Sequence, residues 1–178
     1  LAKRFGASVI LDGVDLTVQE GETMALLGPS GTGKSVRLKH IIVLMTPDAG
    51  EIRIDGRALG RMKKRERRAL KRRFSYVFQD TALFDFMNVF DNIALPLRER
   101  GGLDEEEVRR RVQEKMQQLD LQGIDEDYPS QISGGMKKRV ALARALVTEP
   151  EIVLFDEPTT GLDPIRKNAV HNMIADYQ

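Results

Sequence analysis

The segment Gly28-Pro29-Ser30-Gly31-Thr32-Gly33-Lys34-Ser35 constrains this chain more than any other, because it fits G-x-x-x-x-G-K-[ST] in full. Glycines at this spacing let the backbone curl until several N–H groups point at one anion. Lys34 then brings a compact cation to the β- and γ-phosphates of a nucleotide, and Ser35 offers a hydroxyl to Mg²⁺. The apolar run Met24-Ala25-Leu26-Leu27 ahead of it reads as a buried strand. The residues from about Ser35 to Leu44 read as a helix whose positive end faces the same phosphates.

The rest of the composition is compatible with such a fold. At 178 residues the chain suits one domain with an inserted subdomain. Hydrophobic residues make up 41% and charged residues 31%, which excludes global disorder. Cysteine is absent, so disulfide frameworks and thiolate metal sites are excluded. A net charge of +1 argues against a polyanion bound over the whole surface. No apolar run approaches the length of a membrane-spanning helix. The chain begins at Leu1 without a secretory pattern and stops at Gln178 inside a helical pattern, so a piece of a longer subunit is expected.

Alternation in Val14–Val18 and in Glu51–Gly56 predicts two further strands, and Ser75-Tyr76-Val77-Phe78 a third, ending at Gln79. From about Asp85 to Leu146 the pattern is mostly helical. Asp104 caps one helix, with Val108, Val112, Met116 and Leu119 on its inner face. Pro164 opens a last helix behind Asp163. Strands and helices wrapped round a phosphate loop make this an α/β chain.

Ile152-Val153-Leu154-Phe155 reads as a wholly apolar strand that delivers Asp156 and Glu157 to its carboxyl end, where open α/β sheets bind ligands. Asp156 suits a Mg²⁺ shell. Glu157 suits orientation or deprotonation of a water attacking a γ-phosphate. Ser133-Gly134-Gly135 starts an Ala/Leu/Val-rich helix. Alone it reads as a helix cap, and it also leaves N–H groups aimed outward at an anion.

The phosphate loop, the isolated Gln79, the Ser-Gly-Gly helix start, the acidic strand end and Gly161-Leu162-Asp163 occur in that order. Taken together they resemble the nucleotide-binding domain of an ABC transporter over essentially the whole chain. The resemblance implies a P-loop NTPase core with an antiparallel β subdomain, from residues 1–83 and 146–178, and a helical signature subdomain over 84–145. It implies ATP and Mg²⁺ as cofactors, and ATP hydrolysis as the activity. Phe5 matches the aromatic that stacks on adenine, although tyrosine is commoner there. Gln79 contacts the metal or the attacking water and senses the transmembrane partner. Ser133, Gly134 and Gly135 reach the γ-phosphate held by a second copy. Asp163 couples the two sites across a homodimer. Catalysis falls to Glu157, Gln79 and Lys34, and the metal to Ser35, Gln79 and Asp156.

Within that family the chain is similar to the Mla-type phospholipid-transport ATPases. The similarity rests on Ala82-Leu83-Phe84, Met87–Asn92, Pro96–Glu99 and Met136, which stands where most ABC ATPases have Gln. The implied setting is peripheral, on the cytoplasmic face of the inner membrane against permease subunits, without nucleic acid. Two departures stand out. Val36 replaces a second hydroxyl residue and leaves only its backbone N–H for phosphate. Neither His40 nor His171 matches the family's switch histidine, and both read as helix-surface residues. The rival function is a soluble ABC ATPase acting as a mechanical or regulatory clamp, against which stand the single domain and the lack of a sustained heptad pattern.

Two segments read two ways. Met87, Val89 and Phe90 fit either a groove for a permease's coupling helix or ordinary core. The run Arg57–Arg73 holds ten basic residues and one acid, Glu66. It fits a solvated helix face, or contact with anionic headgroups or an acidic partner. Interleaved aromatics for nucleic-acid stacking are missing from it.

Overall fold

In the first hairpin, Gly6 (φ 58°) turns β1 (Lys3–Phe5) back onto β2 (Ser8–Leu11). The two strands are antiparallel, with Phe5 opposite Ser8 and Arg4 opposite Val9. A computed structural model gives the structure, and it describes residues 1–29 and 31–157. Ser30, Asp163, His171 and the helix expected after Pro164 lie outside the described residues. The chain divides into two units, one from Leu1 to Phe74 and a second beginning at Ser75.

In the first unit, β2 leads through an irregular stretch to the phosphate loop and then to α1 (Lys34–Ile41). Asp48, beyond α1, ties this region to β1. Its carboxylate accepts from the Arg4 backbone N–H and from Lys3 Nζ, both at 2.8 Å. A second hairpin joins β3 (Arg53–Ile54) to β4 (Arg57–Ala58). Its turn is Asp55-Gly56, both at positive φ (51° and 74°). An Asp-Gly pair suits that geometry because its twist matches the flanking strands. A 3₁₀ turn, Leu59–Arg61, then leads to α2 (Lys64–Lys71), where Glu66 accepts from the Lys63 backbone N–H at 2.7 Å. Leu59, Met62, Leu70 and Phe74 are buried.

The second unit packs three helices, α3 (Val89–Arg100), α4 (Glu105–Gln118) and α5 (Gly134–Leu146). Each buries a stripe at helical spacing: Val89, Ile93 and Leu97 in α3, Val108, Val112 and Met116 in α4, Val140 and Ala143 in α5. Side-chain caps start all three. Asn88 accepts from Asp91 N (2.7 Å), Asp104 from Glu107 N (2.8 Å) and Ser133 from Met136 N (3.2 Å). In the same unit β5 (Phe74–Val77) is hydrogen-bonded to β6 (Ile152–Phe155).

Four expectations need correction. Val14–Val18 forms no strand, and neither does Met24–Leu27, where Leu27 is 91% exposed. A wholly apolar strand forms only between ladder partners with both faces covered, and within its unit this run has no strand partner among the described residues. His40 is fully buried rather than on the surface, because its Nδ1 sits 2.7 Å from the Val36 carbonyl, which satisfies one ring nitrogen and lets the ring turn inward. Of the two readings open for Met87, Val89 and Phe90, ordinary core is the one that holds for Val89 and Phe90, which pack in the three-helix cluster, while Met87 is half-buried. The helix after the phosphate loop ends at Ile41 rather than Leu44; Val43 there has positive φ (59°), outside the helical region.

Candidate functional site

In the first unit the phosphate loop closes on itself around its own cation. Lys34 Nζ donates to the carbonyls of Gly28 (2.8 Å) and Pro29 (3.0 Å), and Thr32 Oγ1 donates to Pro29 O (3.0 Å). Gly33 is the N-cap of α1 in the left-handed region, φ 81°. A Cβ there would meet Ile10 Cγ2 and Leu11 Cδ2 at 3.0 Å and the Ile10 carbonyl at 3.1 Å, so a side chain would be both strained in φ and tightly crowded. No side chain caps α1, its first turn carries no acid, and Lys39 and His40 occupy its last turn. The positive end of α1 is chemically suited to an anion. Ser35 and Val36 are half-buried in the first turn. Phe5 sits on β1, 46% exposed, with Lys3 Nζ 5.6 Å from its ring centroid. A half-exposed ring of that kind can take a stacked base.

In the second unit, the Asp156 N–H donates to the Val77 carbonyl at 2.9 Å. That bond brings the acidic end of β6 level with the end of β5, two residues before the exposed Gln79. Asp156 is 7% exposed and accepts from the Tyr76 hydroxyl at 2.7 Å. Burial, and then this bond to the carboxylate, push the Tyr76 hydroxyl well above its ordinary pKa, so it stays a donor. Glu157 is half-buried and holds φ 49°. That left-handed conformation costs a non-glycine residue about 1–2 kcal/mol, and such outliers cluster at working sites.

The third element is the start of α5. Ser133 Oγ accepts the Met136 N–H, which leaves its own O–H free to donate. Gly134 has open space where a Cβ would be, and Gly135 only Ser133 Oγ at 4.0 Å. Both lie in ordinary helix, so nothing among the described residues requires glycine at either position. What their missing side chains provide is room for a group from outside.

The structure thus joins Lys34 to Gly28 and Pro29, and sets Asp156 beside the strand leading to Gln79. Phe5 and the phosphate loop belong to the first unit. Gln79, Ser133–Gly135, Asp156 and Glu157 belong to the second.

Three residues of the second unit escaped the sequence reading. Tyr76 was legible only as a strand residue. Asn92, fully buried, takes the Phe84 N–H (2.9 Å) and donates to the carbonyls of Phe84, Met87 and Asn88 (3.0–3.1 Å). Arg144 donates to Thr81 O (2.9 Å) and Ala82 O (2.8 Å), with Phe84 5.9 Å beneath it. A polar residue at a core position of an otherwise apolar helix was the available signal for Asn92 and Arg144.

Each unit taken by itself holds donors that suit part of a magnesium nucleotide. An uncapped helix start and an ammonium suit phosphate. A hydroxyl, an amide and a carboxylate are hard oxygen ligands of the kind Mg²⁺ takes, which it supplements with water and substrate phosphates. No cluster of three or more His, Cys, Asp or Glu side chains able to hold a metal occurs among the described residues.

Comparison with known proteins places the chain in a family. Residues 11–160 match the family described as ABC transporter. The chain is 48% identical over 176 residues to a probable ribonucleotide transport ATP-binding protein, mkl, of Mycobacterium leprae, covering 99% of this chain and 51% of the relative. It is 41% identical over 171 residues to the intermembrane phospholipid transport system ATP-binding protein MlaF of Escherichia coli, covering 96% and 64%. It also matches a solved ATP-binding cassette, a dimer in a post-hydrolysis state bound to ADP and Pi, with a TM-score of 0.84 and 34% identity over 97% of this chain and 77% of that one. The chain spans about half the length of the first curated relatives it matches.

Proposed function

The chain belongs to the ABC transporter family, and from that premise we propose that it is the ATP-binding and hydrolysing part of a transporter subunit that works against a membrane permease. The observation that carries this reading is the ladder bond between β6 and β5, which sets Asp156 beside the strand running to Gln79, with Glu157 next in the chain.

The residues divide the work as follows. Phe5 stacks on the base. Gly28–Val36 and Lys34 bind the phosphates through backbone N–H groups and one ammonium. Ser35, Gln79 and Asp156 hold Mg²⁺, which when bound offsets negative charge on the phosphate oxygens. Tyr76 fixes the Asp156 carboxylate. Glu157 orients or deprotonates the attacking water. Ser133, Gly134 and Gly135 meet the γ-phosphate bound to a second copy, and Asp163 couples the two sites. The dimeric state of the solved cassette supports that arrangement.

No helix among the described residues is long and apolar enough to cross a membrane. The subunit would sit on the cytoplasmic face, held by its permease. We take the cargo to be phospholipid, supported by Met136 and by the MlaF relative. The ribonucleotide in the mycobacterial relative's name is the competing cargo.

Glu157→Gln in the whole subunit tests the chemistry. ATP binding should persist, an ATP-bound dimer should accumulate, and turnover should fall by about 10²–10⁴-fold, as loss of a general base does. Unchanged turnover would remove Glu157 from this role. Turnover of the reconstituted transporter that responds to ribonucleotide and not to phospholipid would overturn the cargo.

A further inference from the structure

Among the described residues, α2 carries a one-sided run of charge that includes none of the site residues used above. On this helix Arg67, Lys71, Lys64, Arg68 and Arg65 fall within an arc of roughly 160°, at about 100° per residue. All five are exposed. Leu70, on the other side, is buried, as are Met62 and Leu59 just ahead of the helix. The single acid, Glu66, sits at the back of the arc. It is already bound to Arg57 at 2.5 Å and to the Lys63 backbone N–H at 2.7 Å, so it does not neutralise the face.

We propose that this face of α2 is an electrostatic contact for an anionic bilayer surface. Three observations favour a bilayer over other polyanions. The apolar side of the helix, at Leu70, is spent on its own unit, and the exposed side carries the cations, of which Arg67 also donates to the Met62 carbonyl at 3.0 Å. That gives surface attraction without insertion. The run carries no exposed aromatic, since its neighbour Phe74 is buried, so bases have nothing to stack on. The cations form a broad arc rather than a shaped pocket, which suits a diffuse planar field of headgroups better than one acidic peptide. The choice of a bilayer rests on reading the chain as a membrane-apposed subunit; the cationic face itself does not.

The test is partition of the full chain onto vesicles. Vesicles containing about 30 mol% phosphatidylglycerol should bind it, and purely zwitterionic ones should not. Raising salt from about 0.05 M to 0.3 M should release it, because the contact is screened. Each exposed cation near such a surface contributes roughly fivefold. Lys64→Gln, Arg65→Gln, Arg68→Gln and Lys71→Gln combined should therefore weaken partition at least about 50-fold. All four side chains are solvent-facing, so circular dichroism should not change.

Equal binding to both vesicle types, salt-insensitive binding, or full binding by the quadruple variant would each overturn the proposal. So would a duplex DNA or poly-glutamate competitor that binds more tightly than the anionic vesicles at equal salt. ATP binding measured on the same samples separates the two readings. Intact ATP binding without vesicle preference sinks the bilayer contact alone. Vesicle binding without ATP binding sinks the nucleotide site alone.

Discussion

The hydroxyl of Tyr76 on β5 donates to Oδ2 of Asp156 at the end of β6, 2.7 Å away. One strand thus fixes the orientation of the carboxylate that its neighbour delivers.

Tyr76→Phe removes this donor and leaves the ring. Depriving a nearly buried carboxylate of one partner costs about 1–3 kcal/mol, read as a lower urea midpoint. The site should suffer separately, with a higher Mg²⁺ concentration needed for half-maximal turnover at saturating nucleotide. The wild-type hydroxyl has its pKa raised by burial and then by Asp156. Its contribution is complete below the unfolded tyrosine value near 10 and is lost as pH rises above it. Alkaline unfolding should therefore begin earlier in the wild type than in the variant, relative to each protein's own stability at pH 8. Identical profiles would remove the bond from this role.

The two loop glycines with similar φ should behave differently. Gly31 (φ 82°) has open space at its Cβ position, so Gly31→Ala should cost only the left-handed penalty of about 1–2 kcal/mol. Gly33 (φ 81°) would also drive a Cβ to 3.1 Å from the Ile10 carbonyl and 3.0 Å from two side chains. Gly33→Ala should cost clearly more, and should displace the start of α1 enough to abolish nucleotide binding. Thermal melts and nucleotide titration of the pair check this, and equal losses would refute it.

The parts of this molecule set by local chemistry could be read from the chain. Asp104 and Ser133 cap the helices their sequences announce, and Val108, Val112 and Met116 form the stripe their spacing implies. The phosphate loop is legible because its glycines answer a backbone requirement, positive φ, that shows in their spacing alone. What could not be read depends on distant partners. Met24–Leu27 is as apolar as Ile152–Phe155, yet among the described residues only the second has a strand beside it. His40 lies inside because of a carbonyl one turn back, and Tyr76 matters because Asp156 arrives 80 positions later.

Arg144 holds the segment after Gln79 in a costly shape. Ala82 has φ 48°, and its carbonyl and that of Thr81 are both bound by the Arg144 guanidinium. Arg144→Met keeps the stem and drops both bonds. Hydrogen exchange over residues 79–84 should rise, and turnover should fall more than nucleotide affinity. Adding Ala82→Gly removes about 1 kcal/mol of backbone strain. It should make the Arg144 substitution less damaging than it is alone, which a double-mutant cycle would detect. Additive effects would show that the clamp does not hold Ala82.

Acid should loosen α4 in a defined window. Arg110, and then Arg111, hold the Glu107 carboxyl down to about 2, from an ordinary 4.5. A depressed carboxyl stabilises the fold above its unfolded value, and that contribution disappears as pH falls from about 4.5 toward 2. Proton-detected titration should find Glu107 protonating well below the ordinary glutamate value. About 1 M salt should raise its midpoint, because the ion pairs are exposed. A salt-independent midpoint would assign the depression to the helix end instead.

The start of α5 offers the cleanest separation of fold from function. Gly134 is helical, and an added Cβ meets nothing within 4 Å. Glycine in a helix costs roughly 0.5–1 kcal/mol relative to alanine, so Gly134→Ala should leave the melting temperature unchanged or raise it. If the missing side chain exists to admit a γ-phosphate from a second copy, the same substitution should lower turnover at least tenfold and suppress nucleotide-driven dimers, while leaving monomer nucleotide affinity intact. A variant that is as stable and as active as the wild type would mean that nothing outside the chain comes close to this helix start.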